Sequence, residues 1–128
     1  MSLYTDIERS KIAVSGNFKE GIRAEFNFPA NLDLFKGHFS DNPILPGIAQ
    51  IELVKITLET VLGRKLFIRK VKKTKFSRPI KPETHVLVDI DILAPKDGEK
   101  GLIPAKATVL TGNVTVGKIN LLLAEQTT

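Results

Sequence analysis

The sequence predicts an α+β domain in which one long apolar helix is enclosed by a mostly antiparallel sheet. Three observations predict it. Residues 47 to 62 are apolar around most of a helical circumference, several other segments alternate apolar and polar residues at strand length, and Thr111-Gly112-Asn113 stands between two of those segments. A helix without a wide polar face must be surrounded by protein, and strands joined by short turns pair with their neighbours antiparallel. A sheet curled around the helix satisfies both requirements.

The elements follow in chain order. Lys11 to Ser15 is expected as a short strand, and Ile22 to Phe28 as a half-buried one, with Ile22, Ala24, Phe26 and Phe28 on one face and Arg23, Glu25 and Asn27 on the other. Pro29 ends it. Residues 31 to 45, with Gly37, Pro43 and several Asn and Asp residues, read as an irregular loop. Pro46 suits the first helical position, where its missing N–H would have no partner anyway, and Gly63 suits the stop. Glu52, Lys55 and Glu59 share a narrow polar stripe, which predicts Glu52–Lys55 and Lys55–Glu59 ion pairs. Beyond the helix, Phe67 to Phe76 reads as an extended basic segment and His85 to Leu93 as an alternating strand. Leu102 to Leu110 and Val114 to Ala124 form a hairpin that follows a turn at residues 97 to 101, and Pro104 marks the start or edge of its strand.

The composition bounds what such a domain can do. At 128 residues, with 42% hydrophobic and 26% charged residues, the chain suits one globular domain over residues 1 to 128. No apolar run reaches membrane-spanning length, and residues 1 to 11 lack the apolar stretch of a signal peptide, so the expected location is cytoplasmic. The absence of Cys excludes disulfides, thiolate catalysis and cysteine-bound zinc. Two histidines are too few for an all-histidine metal site, and neither a metal nor another cofactor is expected. The net charge of +5 favours an acidic partner. Much of the excess gathers at Arg69, Lys70, Lys72, Lys73, Lys75, Arg78 and Lys81, which is either a solvated edge that discourages aggregation or a docking surface. Nucleic acid fits less well: with no Trp and one Tyr, base stacking would rest on Phe67 and Phe76.

The candidate chemistry lies in residues 37 to 52, Gly-His-Phe-Ser-Asp-Asn-Pro-Ile-Leu-Pro-Gly-Ile-Ala-Gln-Ile-Glu. His38 sits in a loop, the Pro46-Gly47 step opens the helix, and Glu52 follows within it. The unpaired N–H groups of a helix start, Gly47 first among them, stabilise negative charge growing on a carbonyl oxygen. A neutral imidazole takes a proton from the carbon next to that carbonyl, and a carboxylic acid donates one to a departing hydroxyl. Each piece also has a plain structural reading: His38 as a loop hydrogen bonder, Glu52 as the partner of Lys55, and Pro-Gly as helix punctuation. His85, at the start of a strand, reads as structural.

Gly37-His38-Phe39, Pro43-Ile44-Leu45-Pro46-Gly47 and Glu52, with the acid fourteen positions after the histidine, resemble the signature of the hotdog-fold (3R)-hydroxyacyl-acyl-carrier-protein dehydratases. Lys75-Phe76-Ser77-Arg78-Pro79-Ile80-Lys81-Pro82 resembles a second segment of that family. The resemblance implies a hotdog fold, with a curved antiparallel sheet wrapped around one long central helix. It also implies a homodimer, extendable to a trimer of dimers, with active sites at the interface and an acyl-carrier-protein thioester as substrate. His38 is then the base and Glu52 the acid, contributed by different protomers. Gly47 donates to the thioester carbonyl beside Phe39, Pro46 and Ile48, and Lys72, Lys73, Lys75 and Arg78 face the carrier. The chain departs from the family pattern in having Ser40-Asp41 for Pro-Gly, Glu83-Thr84 for Gly-Asp, and Ile56 where a Gln one turn after the acid is usual. An acyl-thioesterase on the same fold and a non-catalytic acyl-carrier-binding module remain as alternatives.

Overall fold

The central helix, α2, spans Gly47–Leu62 in the computed structural model, which describes residues 3–36 and 43–126. Pro46 is its N-cap, with ψ at 151°, so the helix proper begins at Gly47, one residue later than the Pro-first expectation. The reason is local: an extended Pro46 still offers its carbonyl to the first turn, and it accepts from Ala49 N–H at 3.1 Å and Gln50 N–H at 3.2 Å. Gly63 ends the helix in the left-handed region (φ 74°), and its N–H closes on the Glu59 carbonyl at 2.8 Å. Ala49, Leu53, Val54, Ile56 and Leu58 are all buried, as the all-round apolar pattern requires.

The polar stripe behaves differently from expectation at one end. Lys55 pairs with Glu52 at 3.3 Å. Glu59 is instead buried, and its Oε2 accepts the Leu66 N–H at 2.8 Å. A carboxylate there binds the exit of the helix to the start of the next strand, and that hydrogen bond replaces the Lys55–Glu59 pair read from spacing.

The sheet consists of β1 (Lys11–Asn17), β2 (Gly21–Asn27), β3 (Leu66–Val71), β4 (Lys75–Phe76), β5 (His85–Ile92), β6 (Ile103–Thr111) and β7 (Val114–Glu125). Its order is β1-β2-β5-β6-β7-β3, with β4 also on β7, and every pairing is antiparallel. Register aligns the apolar faces: Ile22, Ala24 and Phe26 of β2 stand opposite Ile90, Val88 and Val86 of β5, and all six are buried. Phe26 and Phe28 stack at 5.7 Å. The helix packs against this inner face, and each large side chain buried there contributes about 1.5–3 kcal/mol. This is the hotdog fold. Pro104 stands at the second position of β6, as its missing N–H demands.

Two features have no counterpart in the sequence pattern. An N-terminal helix, α1 (Leu3–Ser10), precedes β1, and a 3-10 turn (Asp33–Phe35) interrupts the loop after β2. Asp6 of α1 is buried and accepts the Leu34 N–H at 3.1 Å, so the two features are fastened to each other. The basic segment is also broken between β3 and β4, where Lys72 N–H donates to the Asn120 carbonyl at 2.7 Å.

Candidate active site

A cavity of about 600 Å³ opens at the start of α2, lined by Ile44, Leu45, Pro46, Gly47, Gln50, Phe76, Ser77, Arg78 and Pro79. Two chain segments make its walls. One leads into the helix, and the other follows β4. Leu45 N–H donates to the Ile80 carbonyl at 2.7 Å and clamps the two together. The β4 side is held from beneath by β7, whose register slips by one residue at Val116. On its other edge β7 continues the β4 pairing, and the Val116 carbonyl accepts Ser77 N–H at 2.8 Å.

Glycines shape the interior. A Cβ at Gly47 would lie 2.7 Å from Cε2 of Phe76, and one at Gly117 would lie 3.5 Å from the same ring. The Phe76 ring thus occupies the space a side chain at Gly47 would fill, and packs in ordinary contact over Gly117. Because Gly47 and Ile48 precede the first residues bonded to the Pro46 carbonyl, their N–H groups have no partner among the described residues. They sit at the positive end of the helix dipole, where developing negative charge is stabilised.

The carboxylate expected to transfer a proton does not stand on this wall. Glu52 is not among the lining residues; it lies two residues beyond Gln50, roughly 160° away around the helix axis. Ile48, at 61% exposure, also points away from the cavity wall. His38 and Phe39 lie outside the described residues. Of the residues read from sequence, then, Pro46, Gly47 and Arg78 come together in one cavity, whereas Ile48 and Glu52 occupy other faces of the same helix.

The basic residues separate into two kinds. Lys72 is bound to Glu99, and that contact, reinforced by the Lys96 N–H, holds the Glu99 carboxyl below its usual range. Lys73, Lys75 and Arg78 are exposed. Register adds Lys118 to them, directly opposite Lys75 across β4 and β7. Lys118 and Gln50 were missed in sequence: only the strand register places the first beside Lys75, and a lone Gln within an apolar helix gives no signal of what it faces. His85, as expected, stays apart, with Nε2 3.0 Å from Glu25 Oε2.

The fold places a cavity at the start of the central helix beside an Arg-Pro segment, and comparison with known proteins gives its class, a hotdog-fold dehydratase. The model of the ApeI-like family, described as ApeI dehydratase, matches residues 14–103, and the chain belongs to that family. The chain is 27% identical over 124 residues to a 3-hydroxyacyl-acyl-carrier-protein dehydratase, FabZ, of Thermoanaerobacter sp. (strain X514), covering 91% of this chain and 79% of that one. It is 33% identical over 93 residues to the FabZ of Latilactobacillus sakei subsp. sakei (strain 23K), covering 67% and 66% respectively. Among solved structures, the dehydratase heterocomplex ApeI:P from Xenorhabdus doucetiae matches with a TM-score of 0.68 at 24% identity over 89% of this chain and 96% of that one. No helix among the described residues is long and apolar enough to cross a membrane.

Proposed function

We propose that the protein converts (3R)-3-hydroxyacyl thioesters carried on acyl carrier protein into trans-2-enoyl thioesters and water. The observation that carries this reading is the open helix start at Gly47 on the wall of a largely apolar cavity. The Gly47 N–H donates to the thioester oxygen and stabilises the charge that develops when the neighbouring carbon loses its proton. His38 accepts that proton. The electrons of the C2–H bond form the C2=C3 double bond, the C3–O bond breaks, and Glu52 protonates the departing hydroxide to give water.

Glu52 lies well around the helix from the cavity of its own chain, so in this reading it serves the cavity of a second copy, and the working unit is a homodimer. Arg78 lines the cavity, and the exposed Lys73, Lys75 and Lys118 lie on or beside the β4–β7 pair behind it; together they suit the acidic carrier. The test is ultraviolet detection of enoyl-thioester formation from purified protein and 3-hydroxyacyl-carrier substrates of short, medium and long chain. Absorbance should rise with at least one of them. Release of free acid and carrier thiol without enoyl formation would establish a thioesterase in its place.

A further inference from the structure

Gln50 is the unexpected residue of the cavity, and the role assigned to it rests on that cavity being the acyl-thioester site. Gln50 and Leu45 are each 2% exposed, whereas Phe76, Ser77, Arg78 and Pro79 are exposed, so the first two form the inner end. Leu45 is apolar; Gln50 is the polar group there. Its Oε1 is fully enclosed and has no hydrogen-bond partner among the described residues. The side chain extends toward β7 into room left by Gly117, where a Cβ would sit 3.1 Å from that oxygen.

A buried amide oxygen without a partner weakens a fold unless something else satisfies it. Gln50 lies three residues, about 4.5 Å along the axis, beyond Gly47. A chain held at Gly47 by its carbonyl and running along the helix towards the inner end of the cavity meets Gln50 with carbons past the pair that react. We propose that Gln50 is a specificity-determining residue, whose amide hydrogen-bonds a hydroxyl carried on the acyl chain beyond C3. A hydroxyl both donates and accepts, and the amide offers the complement of each. A site built around such a bond rejects the analogue lacking it, because its own polar group is then left unpaired.

The test uses unreactive pantetheine analogues with an amide in place of the thioester, titrated calorimetrically into the full chain. The probes are octanoyl and its 5-, 6- and 7-hydroxy derivatives. One hydroxylated probe should bind wild type roughly threefold to tenfold more tightly than plain octanoyl. Gln50→Leu should abolish or reverse that ratio, and Gln50→Met, closer in shape, serves if the leucine variant fails to fold. Equal affinities in wild type, or a ratio untouched by substitution, overturn the proposal. So does a substitution that removes discrimination between 3-hydroxyoctanoyl and octanoyl probes alone, which would assign Gln50 to the leaving hydroxyl. A retained binding preference without enoyl formation from any thioester supports the role of Gln50 and overturns dehydration instead.

Discussion

The Asp6 carboxylate accepts the Leu34 N–H at 3.1 Å and thereby ties the N-terminal helix to the 3-10 turn that leads towards residues 37–42. The carboxylate is buried, and its other oxygen, Oδ1, has no partner among the described residues. Asp6→Ala should cost about 1–3 kcal/mol by leaving the Leu34 N–H unsatisfied. Asp6→Asn keeps an acceptor and should cost less. Calorimetric unfolding of the two variants checks the order; equal losses would mean that packing, not the hydrogen bond, matters at this position.

Gly47→Ala should act mainly through Phe76. The new Cβ would lie 2.7 Å from a ring that is 41% exposed and free to swing outward. Stability should change little, while kcat/KM falls as the cavity wall moves. In a Gly47→Ala background, Phe76→Ala should then add little further loss, because the ring has already been displaced. A four-member kinetic cycle measures this, and strictly additive losses would count against the coupling.

Charge reversal at Lys73, Lys75 and Lys118 should lower kcat/KM for carrier-protein thioesters and leave small pantetheine thioesters nearly unaffected. Wild-type activity on the carrier should fall as ionic strength rises. Reversing Lys72 should do less, since Glu99 already occupies its charge. Rates that ignore both salt and reversal would reduce these lysines to solubilising charge.

A shared site predicts complementation. His38→Ala and Glu52→Gln homodimers should each lose activity by ~10²–10⁴-fold. Mixed under subunit exchange, they should regain about a quarter of wild-type rate, since half the dimers are mixed and each holds one intact site. Sedimentation of the chain alone should show a dimer or a multiple of one. Demonstrated exchange without recovery would return Glu52 to its pairing with Lys55.

The Glu99–Lys72 contact gives a pH signature. Lys72 lowers the folded-state pKa of Glu99, so this pair stabilises the fold above the ordinary glutamate range. The contribution fades as pH falls through the lowered value. Melting temperatures of wild type and Glu99→Gln should therefore differ at neutral pH and converge in acid. A constant difference across the range would exclude the charge as its origin.

The sequence carried the sheet and the central helix well, because Ile22 to Phe28 and His85 to Ile92 must alternate and residues 47 to 62 must not. It missed α1, whose short span has a single wholly buried apolar residue, Ile7. Helix spacing predicted the Glu52–Lys55 pair but not the diversion of Glu59, since the competing Leu66 N–H arrives only when the next strand docks. In the cavity, Pro46, Gly47 and Arg78 were legible from motif. Gln50, Gly117 and Lys118 became functional candidates only through register and close approach, which no local pattern encodes.

β7 pairs with β6, β3 and β4, and its Val116 carbonyl anchors the cavity wall. It is also the strand that leaves the ribosome after the other six. Until it emerges, β3 and β4 have no strand to pair with, and the apolar helix lies beneath an unclosed sheet. The nascent chain therefore passes through a stage with exposed core surface that only β7 can cover, and such non-local closure is slow. Shortening β7 should accordingly damage yield and solubility well before it alters any group that touches substrate.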